Sequence, residues 1–214
     1  MFQSREAAGR LLAEKVLAAE PENPLVLALG PAGVPVAAPV ARALGCPLDP
    51  IFVKGIEAPG TPALAVGAVV DGAAREVLFE ADSLAAAGLS QADCAAGVEA
   101  CLAETAAARC RLLGGRAPQR VSGRTAILVA DGLASGASAR AALRALHNRG
   151  PLEIWLAVPV GPQEVVWKVR GMTDRLIFLE APRDFRGAAA HYADFAPVGD
   201  DEAVRLLDEQ PARR

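Results

Sequence analysis

The stretch Thr125-Ala-Ile-Leu-Val-Ala-Asp-Gly-Leu-Ala-Ser-Gly-Ala-Ser138 decides how this chain folds and where its chemistry sits. Residues 125–129 form a short apolar run, as expected of a strand buried on both faces. A single acid, Asp131, follows; then come small residues, and a helix is predicted to open at Ala137. Backbone N–H groups and the hydroxyls of Ser135 and Ser138 then face one point at a helix N-terminus. Unsatisfied N–H groups and the helix dipole both favour negative charge, so that point is a ready anion site. Asp131, at the carboxyl end of the strand, is placed to meet hydroxyls or a metal on the same ligand. Small residues also occur in ordinary strand-to-helix turns, but the ordered run Asp-Gly-x-x-Ser-Gly-x-Ser favours phosphate.

Outward from this stretch, strands and helices alternate. Ser4 is a candidate cap for a helix over 5–19, followed by an apolar strand at 25–29. Gly30-Pro-Ala-Gly33 breaks that strand, a helix is predicted over 34–44, and Gly45 stands at its C-terminal stop. A second strand is expected at 48–53, then a breaker-rich loop over 55–62. A hairpin is expected to pair 64–70 with 76–79 around Asp71-Gly72. Ser90 caps a predicted helix over 91–113, which Gly114-Gly115 ends. After the quoted stretch, whose helix should run to 149, come a strand at 154–159, a helix at 163–170, a strand at 175–179 and a helix at 200–209. This order predicts one α/β domain over 1–214, with a doubly wound, mainly parallel sheet flanked by helices and a small hood or hairpin region.

Composition narrows the partners. The net charge of −3 over 214 residues gives no polyanion-binding surface, and 4% aromatic content argues against base-stacking platforms. No nucleic acid is therefore expected. No apolar run approaches the ~20 residues that span a bilayer, so no membrane partner is expected. Met1-Phe-Gln-Ser-Arg-Glu6 is polar and unlike a secretory signal, which points to the cytoplasm. Cys46, Cys94, Cys101 and Cys110 lack C-x-x-C spacing and read as free thiols, with Cys94 and Cys101 one heptad apart on a shared helix face; no metal cluster is predicted.

The quoted stretch resembles the phosphoribosyl-pyrophosphate signature of type I phosphoribosyltransferases: apolar residues, two acids, two apolar residues, then Thr-Gly-x-Thr. Asp131 matches the second acid and Ser135-Gly-Ala-Ser138 the phosphate loop, while Ala130 stands at the first acid. Gly33-Val-Pro35 matches part of an Arg-Gly-Gly-Val-Pro pyrophosphate loop, with Pro31 where arginine is expected. Lys54, Ala58-Pro-Gly60 and Gly67-Ala68 match a third run in a bacterial subgroup of the family. There Gly55 replaces a basic residue and Ala63 a glutamate. Weaker likenesses at 109–116, 156–160 and 184–195 extend the match over almost the whole chain.

The resemblance implies the type I fold and a role for Asp131 in holding ribose hydroxyls or a hydrated Mg²⁺. It implies phosphate binding by Gly132, Leu133, Ala134, Ser135, Gly136, Ala137 and Ser138, and pyrophosphate binding by Pro31, Ala32, Gly33 and Lys54. It further implies Mg²⁺ arriving with the pyrophosphate substrate, a small phosphorylated-ribose ligand and a homodimer. Two functions follow as expectations: transfer of phosphoribosyl to a base or amine, or ligand binding by a catalytically degenerate regulatory protein. A phosphoribohydrolase-like activity reusing the same cradle is a third. Loss of one acid and one arginine falls on the leaving-group side and leaves the phosphate side intact. His191, Tyr192, Arg183 and Arg186 are packing or surface residues first, and pocket candidates second.

Overall fold

Alternate residues of the apolar strands feed two different cores. The computed structural model describes residues 1–71 and 75–209, side chains of Pro62 and Ala63 excepted. In β1 (Pro24–Leu29), Val26 and Ala28 join one apolar cluster while Leu25 and Leu27 join the other. In β6 (Thr125–Val129), Ile127 and Val129 turn one way, and Ala126 and Leu128 the other. Strand side chains alternate between faces, so a strand covered on both sides must be apolar at every position. This is why both runs read as unbroken hydrophobic stretches.

These strands pair in parallel with β2 (Leu48–Ile51), β7 (Glu153–Val160) and β8 (Arg175–Glu180), in the order β2-β1-β6-β7-β8. One face is covered by α1 (Arg5–Leu17), α2 (Gly30–Leu44) and α7 (Asp200–Asp208), through Leu12, Val16, Val36, Val40 and Leu206. The other is covered by α5 (Ala137–His147) and α6 (Gln163–Arg170), through Leu143, Leu146, Val165 and Val169. Burying each such side chain contributes about 1.5–3 kcal/mol. Gly9 lets α1 close on α2, since a Cβ there would lie 2.4 Å from the Val36 carbonyl oxygen.

A second, antiparallel sheet of β3 (Val53–Ala58), β4 (Thr61–Val70) and β5 (Glu76–Phe79) fills the expected hood region. It packs on α3 (Ala81–Ala87) and α4 (Ala95–Leu113) through Ile56, Val66, Leu84, Cys94 and Cys101. The two cysteines one heptad apart do share a buried face, and all four thiols are free. Arg109 of α4 braces this unit: it donates to the buried Asp71 carboxylate and, at 3.0 Å, to the Pro50 carbonyl. A polar group taken out of water needs such hydrogen-bond donors to offset its lost hydration.

Four expectations change. The breaker-rich loop over 55–62 is instead the hairpin β3–β4. Pro59 and Gly60, with φ 78° at Gly60, make its turn, as Pro-Gly does in a type II turn. The second strand therefore splits, with β2 ending at Ile51 and β3 starting at Val53. The helix expected from Val34 begins at Gly30, because Pro31 occupies the opening position that proline favours. Ser90 is a partner of Asp93, donating to its carboxylate from N–H and Oγ at 2.8 and 2.6 Å. A short 3-10 turn then precedes α4, so the long helix starts at Ala95. The hairpin partners 64–70 and 76–79 pair as expected, while Gly72 of the turn lies outside the described residues.

Candidate ligand-binding site

The sheet changes direction between β1 and β6. From β1 the chain crosses to β2 on one side, while β6 lies on the other, with Ala28 opposite Val129. Ligands of open parallel sheets bind beyond the carboxyl ends of strands at such a switch point. Two segments meet there: the N-terminus of α2 and residues 130–136 leading into α5. Gly33 brings the first turn of α2 close onto the end of β6, since a Cβ on it would lie 3.0 Å from the Val129 carbonyl oxygen.

Ala130, at the position of the first acid, is 2% exposed in the apolar cluster with Leu128 and Leu133. Asp131 turns out of the core. Its Oδ2 accepts a hydrogen bond from Arg5 Nε at 2.9 Å, and its main-chain oxygen accepts one from the Tyr192 hydroxyl at 2.6 Å. Arg5 is itself fixed: a second nitrogen donates to the Ala196 carbonyl at 2.8 Å, and the guanidinium lies 3.6 Å from the Phe195 ring centroid. Burial pushes the Asp131 carboxyl above its ordinary range, and the Arg5 charge pulls against that.

The loop then closes on α5. A Cβ on Gly132 would lie 2.5 Å from that of Ala188, so no larger residue fits. Leu133 anchors the loop: its N–H donates to the Val160 carbonyl at 2.9 Å and its side chain is buried. It therefore holds the cradle in place with an amide already engaged. Ala134, Ser135, Ala137 and Ser138 are exposed. Ser135 Oγ accepts from the Ala137 amide at 3.3 Å, and its carbonyl accepts from Arg140 at 3.1 Å. Gly136, at φ 72°, sits left-handed at the helix cap, where glycine is tolerated best. This leaves Gly136 and Ser138 at the open end of α5, where helix N–H groups lack intrahelical partners.

On the pyrophosphate side the expected loop 30–35 is the first turn of α2. Gly30, Pro31 and Lys54 line one cavity of about 320 Å³, together with Phe52, Glu104 and Arg111. Proline contributes no N–H, so this turn offers one donor fewer than another residue would give. Lys54 Nζ stands 2.7 Å from Glu104, which raises its pKa, and Arg111 pairs with Asp200 at 2.8 Å. Ala32 is half-buried in the same turn, and Gly33 is committed to packing on Val129.

The donors present do not fit a Mg²⁺ held by the protein. Such ions take one or two carboxylates beside substrate phosphates. Here the first acid is alanine and the second already faces a guanidinium. Among the described residues no group of three or more His, Cys, Asp or Glu is placed to hold a metal.

Three neighbours escaped the sequence reading as parts of the site. Arg5 binds Asp131, Phe195 packs on the Arg5 guanidinium, and Arg140 straps the phosphate loop. Arg5 carried one signal, a cation in the first turn of a helix where the dipole favours acids. Tyr192 is 5% exposed and packs on Phe2 and Phe195, and His191 stacks on Phe185, so both serve the fold. Arg183 and Arg186 are surface residues, the latter paired with Asp184.

Residues 3–166 match the family model for the phosphoribosyl transferase domain. The chain belongs to the phosphoribosyl transferase family. The Mycobacterium tuberculosis protein Rv0571c, provisionally named a phosphoribosyl transferase, is 34% identical over 208 residues. That match covers 97% of this chain and 46% of the relative, so the chain spans about half the length of the curated relatives it matches. The crystal structure of TT1426 from Thermus thermophilus is 34% identical, covers 99% of both chains and superposes with a TM-score of 0.83. A Neisseria gonorrhoeae protein crystallised with bound ppGpp shares the fold at 13% identity and TM-score 0.50, covering 97% of both chains. No helix among the described residues is long and apolar enough to cross a membrane.

Proposed function

We propose that this chain binds phosphoribosyl pyrophosphate across the switch point and transfers its phosphoribosyl group to a base or amine. The observation that carries the reading is the meeting of two helix N-termini, α2 and α5, over paired strands β1 and β6. Both ends of the ligand are anionic, and each helix end presents N–H groups and a favourable dipole. The 5-phosphate rests on Ala134, Ser135, Gly136, Ala137 and Ser138, with Gly132 and Leu133 fixing the loop beneath. Asp131 accepts hydrogen bonds from ribose hydroxyls. The pyrophosphate lies at Pro31, Ala32 and Gly33, where Lys54 adds a point charge. A Mg²⁺ brought in with the substrate would supply charge neutralisation of the leaving group, and Lys54 is a cation of the chain itself on that side.

The transfer needs no covalent nucleophile from the protein. The bond from the ribose anomeric carbon to pyrophosphate breaks, a bond to the acceptor nitrogen forms, and that nitrogen loses its proton to solvent. The protein's part is to align acceptor and sugar and to place positive charge where the leaving group gains negative charge. Incubation with phosphoribosyl pyrophosphate and a panel of bases and amines, followed by pyrophosphate release, tests this. Release that requires an acceptor supports it, and none with any acceptor contradicts turnover.

A second reading rests on the Arg5–Asp131 pair and the buried Ala130: a family member that binds phosphoribosyl ligands for regulation without transfer. Removing a preorganised charge contact commonly costs about 3 kcal/mol of transition-state stabilisation, roughly a hundredfold in rate. Two such losses, at positions 130 and 31, leave binding as the surviving activity. A homodimer and a cytoplasmic location accompany either reading as expectations of the family.

A further inference from the structure

A cleft beside the phosphate loop separates α5 from the small sheet, its lining reaching Ala137 and Ser138. Its α5 wall carries Arg140, Ala141 and Arg144, at the three- and four-residue spacing that puts side chains on one helical face. The opposite wall is built from Gly55, Ala65, Gly67 and Ala68, residues too small to fill the space between the elements. The cavity measures about 220 Å³. Pockets for drug-sized ligands run from roughly 300 to 1,000 Å³, so this one suits a single small ring or chain with its polar group.

The charges along the α5 wall are unequal. Arg144 is neutralised by Glu80 at 2.7 Å. Arg140 makes no ion pair among the described residues; one of its nitrogens donates to the Ser135 carbonyl, which holds the guanidinium at the mouth of the cleft. Ser83 adds a hydroxyl to the lining. A fixed guanidinium with unused N–H donors beside a hydroxyl recognises a carboxylate or a phosphate, and the glycine- and alanine-lined floor takes an apolar body.

We propose that this cleft is a second anion site, adjoining the 5-phosphate cradle but not using its hydroxyls, for a small molecule with an acidic group on a compact apolar body. The acidic group meets Arg140 and Ser83, and the body lies on Gly55, Gly67 and Ala68.

Calorimetric titration of phenyl phosphate and of benzoate, each with ribose 5-phosphate saturating, tests the site and tells phosphate from carboxylate recognition. At least one of the two probes binds under saturation. Arg140→Gln weakens that binding by about tenfold or more, the usual loss for a charge-assisted contact. Gly55→Leu abolishes it by filling the floor. A Cβ at Gly55 meets no atom within 4 Å and its φ is not left-handed, so the strand tolerates the change. Ribose 5-phosphate affinity in Gly55→Leu stays within about twofold of wild type, since its side chain enters only the cleft. Absence of binding by both probes, their displacement by ribose 5-phosphate, or unchanged binding in Arg140→Gln would each overturn the proposal. Binding that persists in a chain unable to bind ribose 5-phosphate would support this site while counting against the phosphoribosyl reading.

Discussion

Arg5 Nε stands 2.9 Å from Asp131 Oδ2, joining the first turn of the first helix to the one acid of the phosphate signature across 126 positions of sequence. Both side chains are largely enclosed, at 10% and 19% exposure. A carboxylate in that setting needs its partner. Arg5→Gln should cost about 3 kcal/mol of stability, at the lower end of what breaking a buried pair costs. Urea unfolding measures it, and a loss within error would show that water reaches Asp131 freely.

Asp131→Asn separates charge from shape. Burial raises the folded-state pKa of Asp131, so its contribution to stability is fully present below the unfolded value and is lost as pH rises through the folded one. Relative to wild type, Asp131→Asn should therefore gain stability as pH rises from below 3.8 into the range just above it. Parallel thermal melts across that window show the trend; an opposite slope would mean that Arg5 outweighs burial. At neutral pH the same variant should bind ribose 5-phosphate about tenfold more weakly, through lost hydrogen bonds to charge.

Introducing the missing acid should destabilise the fold. Ala130 is 2% exposed among apolar side chains, so Ala130→Asp buries a carboxylate in an apolar cluster. The expected cost is about 3 kcal/mol or more. Denaturant unfolding would reveal it, and an undiminished midpoint would show that the strand end can turn the new side chain outward.

Pro31→Arg is the better-placed reversion. Position 31 is half-buried and lines the cavity that also holds Lys54, so the new guanidinium has room. Affinity for phosphoribosyl pyrophosphate should rise roughly tenfold with that of ribose 5-phosphate unchanged, because a bidentate cation acts on the pyrophosphate end alone. Equal gains for both ligands would place the pyrophosphate elsewhere.

The strands 25–29 and 125–129 were legible because burial on both faces leaves only apolar residues, and the phosphate loop because glycine and serine recur at fixed offsets. Hairpin β3–β4 was hidden by its own Pro59-Gly60 turn, which read as a loop when only the breakers were counted. Short α3 lacks a side-chain cap and has seven residues, too few for periodicity to show. Arg5 showed locally only as a cation in the first turn of a helix, since its meaning depends on a partner 126 residues away. The division of labour in the loop was likewise invisible: nothing in the sequence tells that the Leu133 amide serves Val160.

The central claim is that one ligand spans the α2 and α5 N-termini. Calorimetric titration of phosphoribosyl pyrophosphate with and without Mg²⁺, against ribose 5-phosphate, tests it most directly. The account predicts that phosphoribosyl pyrophosphate binds more tightly than ribose 5-phosphate, that Mg²⁺ strengthens only the former, and that Ser135→Ala with Ser138→Ala weakens both. Equal affinities indifferent to Mg²⁺ would leave a phosphate cradle without a pyrophosphate site, and binding of neither ligand would contradict the account.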